Sequence, residues 1–374
     1  MNNSIWISHY ILTGISNKLN IYKLLLKLYY YNINHMKKTC LITGGLGYIG
    51  SHICVEFLKN NWDILILDNL SNSCEEKIIQ IQKYNLYGCD IKLQIVDLVD
   101  IDKFDNVLNN YMKDKKKQID LVIHLAGLKS VKESIDLPIK YYENNLISTI
   151  NLVKLMEKYN IYNLIFSSSA TVYGTAQTPY FENTQTGIGI SNSYGRSKYI
   201  QEEILKDIII AKKDWNISLL RYFNPIGQLN MELKEEPIGI PNNLFPYLVK
   251  VHKGELKELT VFGQDYNTRD GTCSRDFIHV VDLANAHLVC GNAMCEGKIT
   301  RLKIYNIGTG LDTTVLELMG EYENVNQTKL NYKFGLRRQG DLKSSYSNVE
   351  LIEKELGWKA KYSITDCVKI DINL

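Results

Sequence analysis

Gly44, Gly47 and Gly50 recur every third residue in the stretch Gly44-Gly45-Leu46-Gly47-Tyr48-Ile49-Gly50, and this turn constrains the fold more than any other part of the chain. Before it runs Thr39-Cys40-Leu41-Ile42-Thr43, short and apolar, which predicts a buried parallel strand. After it, residues 49–60 carry helical spacing. Glycines at a strand-to-helix junction remove side chains that would hold the backbone away from a pyrophosphate, and the last one lets the helix pack close to the strand. The free N–H groups of the helix start, with roughly half a unit of positive charge from the helix dipole, then face the anion.

The alternation continues along the chain. Asp63–Leu67, Ile91–Val96, Leu121–Ala126, Leu164–Ser169 and Ile217–Tyr222 read as further strands, with Asn145–Tyr159 and Ser193–Ala211 among the helices between them. Strands alternating with helices predict an α/β fold, a Rossmann-type doubly wound parallel sheet covered on both faces. After Asn224 the character changes, as Pro225, Pro237, Pro241 and Pro246 cluster and short strands mix with helices. The expected organisation is a dinucleotide-binding domain over residues 37–224 and a smaller α/β substrate domain over 225–374, with segments near 277–310 returning to the first. The run Lys113-Asp114-Lys115-Lys116-Lys117 reads as a solvated loop, and 364–374 as a last helix. Residues 1–36 read as an extension outside the fold, with Met36 as the effective start. A targeting segment is the alternative, although these residues contain no Arg.

Composition narrows the function classes. Lys plus Arg number 43 against 41 Asp plus Glu, which leaves no electrostatic case for nucleic acid or an anionic membrane. No apolar stretch approaches the roughly 20 residues that a membrane span needs. The eight cysteines form no C-x-x-C pair and there is no H-E-x-x-H run, so no metal site is expected. Scattered thiols fit a reducing compartment, and the expected location is the cytoplasm.

An acid, Asp68, closes the second strand. A carboxylate there can accept from both ribose hydroxyls of an adenosine and would repel a 2′-phosphate, which favours NAD over NADP. Tyr194 and Lys198 stand four residues apart, on one helix face. Bringing a phenol from its usual pKa near 10 to near 7 takes about 4 kcal/mol, which a neighbouring ammonium and a nicotinamide cation in a dry cleft can supply. The spacing alone is unspecific, since Tyr111 and Lys115 share it beside the charge run. Tyr194 differs because Ser167-Ser168-Ser169 ends a strand upstream, where open α/β sheets bind ligands, and a serine hydroxyl can relay a proton. Tyr173 is closer to the serines, but residue 177 is Gln.

Taken together, several stretches resemble one family. Thr43-Gly44-Gly45 through Ser51-His52, Ala126-Gly127-Leu128-Lys129, Ser169-Ala170-Thr171-Val172-Tyr173-Gly174, Tyr194 to Lys198, Arg221-Tyr222-Phe223-Asn224-Pro225 and Gly239-Ile240-Pro241-Asn242-Asn243-Leu244 are similar to the UDP-glucose 4-epimerases of the extended short-chain dehydrogenase/reductase superfamily. The likeness runs from about Lys37 to Trp358. It implies Tyr194 as acid and base, Lys198 as its electrostatic partner and Ser169 as proton relay. It implies NAD contacts at Gly44, Gly47, Tyr48, Ile49, Gly50, Asp68, Asn69, Asn72, Asp97, Leu98, Ala126, Gly127, Lys129, Asn144, Tyr194, Lys198 and Phe223. UDP-sugar contacts would fall on Ser169, Tyr194, Asn224, Asn243, Val261, Phe262, Arg275, Arg338, Asp341 and Ser345, where forked arginine donors suit a diphosphate. A homodimer through a four-helix contact is implied as well.

The implied chemistry is a redox round trip through a 4-keto sugar with NAD regenerated each cycle. Ser345 falls where relatives carry either tyrosine or a small residue, and a small one leaves room for an N-acetyl group. A 4,6-dehydratase would need an Asp-Glu pair where Ala170 and Thr171 stand. Epimerisation of UDP-glucuronate or UDP-pentoses, and a non-catalytic NAD sensor, stay open as alternatives. Departures from the family pattern are residues 1–36, a longer loop at 113–118 and a short C-terminus after Trp358 without the usual terminal tryptophan.

Overall fold

The computed structural model describes residues 37–115, 118–235, 241, 243–338 and 340–370. The readings made for residues 1–36 and for the last four residues of the chain lie outside these. Strand β1 (Thr39–Thr43) is buried along its whole length. It pairs in parallel with β2 (Asp63–Asp68) on one side and with β4 (Leu121–His124) on the other, and β3 (Ile91–Ile95) continues the sheet beyond β2. Strands β5 (Asn163–Ser169) and β6 (Asn216–Tyr222) follow β4. After the short strands β7 (Asn224–Ile226), β8 (Leu259–Phe262), β9 (Ser274–Arg275) and β10 (Phe277–His279), strand β11 (Leu302–Ile307) adds itself to β6. The resulting order is β11-β6-β5-β4-β1-β2-β3, all parallel. The winding direction reverses between β1 and β4, and in open α/β sheets the crevice outside the strand ends at such a point is where ligands bind.

The period of two in a strand decides which layer each side chain joins. Cys40 and Ile42 point into the core under α1 (Tyr48–Lys59), while Leu41 points into the opposite core with Leu65 and Val122. Helices α2 (Lys77–Gln82), α3 (Ile101–Lys115), α4 (Val131–Asp136), α5 (Pro138–Lys158) and α6 (Ser193–Ala211) come before β6, and α7 (Leu244–His252) and α8 (Val280–Cys295) after it. The second core takes Phe104 and Leu108 of α3, Leu152 and Leu155 of α5 and Leu205 of α6. Helix α8 lies against α1 on the other face. Burying each of these large apolar side chains contributes about 1.5–3 kcal/mol.

Beyond Asn224, a third core gathers Ile226, Phe245, Leu248, Val261, Phe277 and Leu318. Here β8 pairs with β13 (Tyr332–Gly335), and β9 lies between β12 (Thr313–Thr314) and β14 (Ser344–Ser345). The described residues from Thr39 onward form one compact unit.

Several element boundaries differ from those read in the sequence. The charge run is not a loop in its first three residues: Lys113–Lys115 complete α3. Phe104, Leu108 and Tyr111 give that helix an apolar stripe, and Lys113 is exposed. Strand β4 ends at His124 rather than Ala126, because the amides of Leu125 and Ala126 both turn to the Thr43 hydroxyl at 3.2 Å. Helix α5 starts at Pro138, well before Asn145, with the proline in its first turn where no N–H is missed. The final helix spans Ile364–Val368 and opens with a Ser363–Asp366 capping box.

Candidate active site

The strand ends supply the site. Between β1 and α1 the backbone needs glycine for two separate reasons. Gly44 has φ +68°, and a Cβ on Gly50 would lie 2.2 Å from the Gly44 carbonyl oxygen. Gly47 is the N-cap of α1, where no side chain caps the helix and its first turn, with Tyr48 and Ile49, holds no acid. The first-turn N–H groups therefore stay available for an anion.

Asp68, at the end of β2, is buried beside this turn: its carboxylate accepts from the amides of Leu46 and Leu70 and the Ser73 hydroxyl, each at 2.9 Å. Asn69 follows it and donates to Asp97 past the end of β3 at 3.1 Å. Asn72 is exposed in the same loop. Leu98 departs from the expected contact set in one respect. Its side chain is buried in the core under α3, and its carbonyl accepts from Asn151 at 2.9 Å, so only its backbone edge can meet a ligand.

Past β4, Ala126 and Gly127 are half-buried. Asn145 of α5 holds this loop by accepting from the Leu128 amide at 2.8 Å, and its neighbour Asn144 is half-buried. Lys129 pairs with Glu235 at 2.7 Å, and Asn243 donates to the same carboxylate oxygen at 3.0 Å. One carboxylate thus joins an expected cofactor residue to an expected substrate residue.

The three serines at the end of β5 meet α6. Asn192 caps that helix by accepting from the Gly195 amide at 2.8 Å. Lys198 is buried, donates to the Ser167 carbonyl at 2.7 Å and lies 4.8 Å from the Phe166 ring centroid. Burial lowers its pKa to about 7, with the Glu202 carboxylate opposing that shift. Burial raises the pKa of the Tyr194 phenol, and the nearby Ser169 hydroxyl works the other way. Burial is the larger of the two influences on this phenol. Ser169 also accepts from the Thr171 hydroxyl at 3.0 Å.

On the other wall, Phe223 is buried after β6 and Asn224 opens β7. Arg338 stacks its guanidinium 4.0 Å from the centre of the Phe262 ring. Val261 turns its side chain into the small core, so its contribution, like that of Leu98, is limited to backbone. Arg275 donates to the Ser274 and Leu342 carbonyls and sits 3.5 Å from Asp341, and Ser345 is its register partner on β14. The next residue, Asp276, is fully buried and accepts from the amide and hydroxyl of Thr309 at 2.7 Å, the Gly310 amide at 3.0 Å and the Ser347 amide at 3.2 Å. It ties β9 to β11 and β14 and thereby fixes the direction of Arg275. No sequence signal had marked Asp276, Glu235 or Glu202, although Glu202 lies one helical turn beyond Lys198.

Residues 40–308 match the family described as the NAD dependent epimerase/dehydratase family, and the chain belongs to it. Within that family the likeness is to UDP-glucose 4-epimerases. The Bacillus subtilis (strain 168) UDP-glucose 4-epimerase is 43% identical over 328 residues, 87% of this chain and 93% of the relative. The bifunctional UDP-glucose 4-epimerase and UDP-xylose 4-epimerase 3 of Arabidopsis thaliana is 41% identical over 337 residues, 88% of this chain and 93% of the relative. The structure of UDP-glucose 4-epimerase from Bifidobacterium longum, in complex with NAD+ and UDP, superposes with a TM-score of 0.82 at 44% identity, covering 88% of this chain and 96% of that one.

Proposed function

We propose that this protein interconverts UDP-glucose and UDP-galactose by inverting C4 through a 4-keto sugar, with NAD held throughout the cycle. The observation that carries the reading is the placement of the Tyr194 phenol near the Ser169 hydroxyl, with Lys198 one turn on and bonded to the Ser167 carbonyl, at a strand end two strands from the glycine turn. The residues fit the dinucleotide: a turn packed so closely on its helix that a Cβ at Gly50 would strike the Gly44 carbonyl, an uncapped helix start and a buried carboxylate at Asp68 with an acceptor position to spare. When bound, NAD supplies the hydride acceptor, the hydride donor and a positively charged ring.

The chain's own residues then handle the proton. Beside that positive charge Tyr194 would ionise, and its phenolate would take the proton of the 4-hydroxyl as C4 loses its hydride, with Ser169 bridging the two oxygens. The ketone turns in the site, the hydride returns to its opposite face, and Tyr194 gives the proton back. Arg275 and Arg338 hold the diphosphate, while Asn224, Asn243, Val261, Phe262, Asp341 and Ser345 surround the rest of the nucleotide sugar. Ser345 has a small side chain, which supports acceptance of UDP-N-acetylhexosamines.

The assembly we propose is a homodimer. Exposed Ile135, Leu137, Ile139 and Ile147 on and between α4 and α5 support it, since such apolar surface is usually covered. Eight free cysteines support a reducing, cytoplasmic location. Among the described residues no helix is long and apolar enough to cross a membrane.

The test is purified protein incubated with UDP-galactose, with Tyr194→Phe as control. UDP-glucose formed by the parent and not by the variant is the expected result. An unchanged sugar would leave an NAD-binding protein without this activity.

A further inference from the structure

Tyr194, Lys198 and Glu202 lie four residues apart, and so on one face of α6. Three consecutive residues of β5 receive them. The Ser169 hydroxyl lies near the Tyr194 phenol, the Ser167 carbonyl accepts from Lys198 at 2.7 Å, and the Ser168 hydroxyl donates to Glu202 at 2.5 Å. Glu202 is fully buried and also takes both forks of Arg221, Nε at 2.9 Å and Nη2 at 2.7 Å. Ser168 and Arg221 are direct cross-strand partners of β5 and β6, so one carboxylate is gripped by the paired strands from both sides. Arg221 is itself held, donating to the Tyr173 hydroxyl and the Glu182 carbonyl at 3.0 Å, and Tyr173 donates to Asn306 of β11 at 2.6 Å.

A buried ion pair is weak evidence for stability, because apolar side chains of similar volume hold two elements together at least as well. What it adds is register. Apolar contacts tolerate a helix slipping or turning slightly, whereas a bidentate guanidinium–carboxylate pair has one geometry. A slip of α6 by one residue would move it about 1.5 Å and turn it about 100°, taking the phenol off Ser169. We propose that Glu202, clamped by Ser168 and Arg221, is a positioning residue that sets how the Tyr194–Lys198 face lies over the ends of β5 and β6. The assignment rests on the catalytic reading of Tyr194 given above.

Three variants test it: Ser168→Ala, Glu202→Gln, and Glu202→Gln combined with Arg221→Met, which removes both charges and keeps bulk. Each is measured for kcat and KM with UDP-galactose, bound NAD content and Tm. The double variant is expected to keep a Tm near the parent and its KM and NAD content, yet lose about a hundredfold in kcat, the scale of a misplacement near 1 Å. Ser168→Ala is expected to lose roughly tenfold, the rate equivalent of one charge-assisted hydrogen bond. A folded double variant with parental kcat would reduce the pair to scaffolding and overturn the proposal, as would losses confined to KM. If either Glu202 variant fails to fold, Ser168→Ala decides alone, and parental kcat there overturns it. Tyr194→Phe, run alongside, separates the two levels. Full activity in that variant removes the catalytic reading itself, whereas an inactive Tyr194→Phe beside a fully active double variant removes only the positioning role.

Discussion

The Lys198 ammonium is spent on the Ser167 carbonyl, 2.7 Å away, in a pocket so dry that burial brings its pKa to about 7. The folded state therefore releases this proton far more readily than the unfolded chain, where a lysine titrates near 10.4. Between those two values the unfolded state binds more protons, so this group's contribution to stability rises with pH. Below about pH 7 both states hold the proton and the folded protein carries the full cost of a buried charge.

Lys198→Met is thus expected to raise Tm by about 3–5 °C near pH 6, an advantage that shrinks steadily towards pH 10. The same variant is expected to lose turnover. Calorimetry across that pH range is the check, and a gain that grows with pH would contradict the sign.

Removing the proton carrier has a different signature. Tyr194→Phe is expected to lower kcat about 10³-fold and Ser169→Ala about 10²-fold, within the range of general acid–base catalysis. Thermal unfolding is expected to change little for Tyr194→Phe, whereas Ser169→Ala is expected to lose about 1 kcal/mol, because its hydroxyl caps the turn over Ala170–Tyr173 by accepting from the Thr171 amide at 3.2 Å.

Asp68 contributes to both fold and specificity, because its carboxylate accepts from the Leu46 amide inside the glycine turn. Asp68→Ala is expected to weaken NAD binding by about 2 kcal/mol and to reduce the preference for NAD over NADP. Titration of the variant with both dinucleotides reads the two effects separately.

Gly50→Ala places a methyl 2.2 Å from the Gly44 carbonyl oxygen, where backbone on both sides prevents relief. A loss of about 3 kcal/mol or more is expected, along with loss of bound NAD. Denaturant unfolding measures it.

Ser345→Tyr is expected to suppress turnover of UDP-N-acetylgalactosamine about tenfold or more, the scale of one excluded group in a packed pocket, while sparing UDP-galactose. Equal loss on both substrates would place residue 345 away from the C2 substituent.

The parts of this fold that sequence made legible are those with a local signature. Strands β1 and β2 are mostly apolar runs, β5 is an apolar triplet ending in three serines, and the glycine turn, Asp68 and the Tyr194–Lys198 spacing each lie within a few residues. Helix α3 was harder to see because its charged end hides the stripe of Phe104, Leu108 and Tyr111. The direction of a side chain at a strand end was not legible at all: Leu98 and Val261, which the resemblance implies as contacts, turn their side chains into cores and leave their backbone for that role. Glu202 and Arg221 are ordinary charges in sequence. Only the adjacency of β5 and β6 brings them together and excludes water.

The sheet is closed by a strand that arrives late. β11 joins β6 only after the chain has built β7 to β10 elsewhere, and α8, which packs on α1, comes just before it. A fragment ending at Asn224 would contain six strands and the whole glycine turn, yet its last strand would show a bare row of amides and carbonyls and its α1 layer would be stripped of cover. Such an edge recruits other chains. The nucleotide-binding half is therefore not a portable module, and any split of this protein for engineering has to keep residues 280–307 with it.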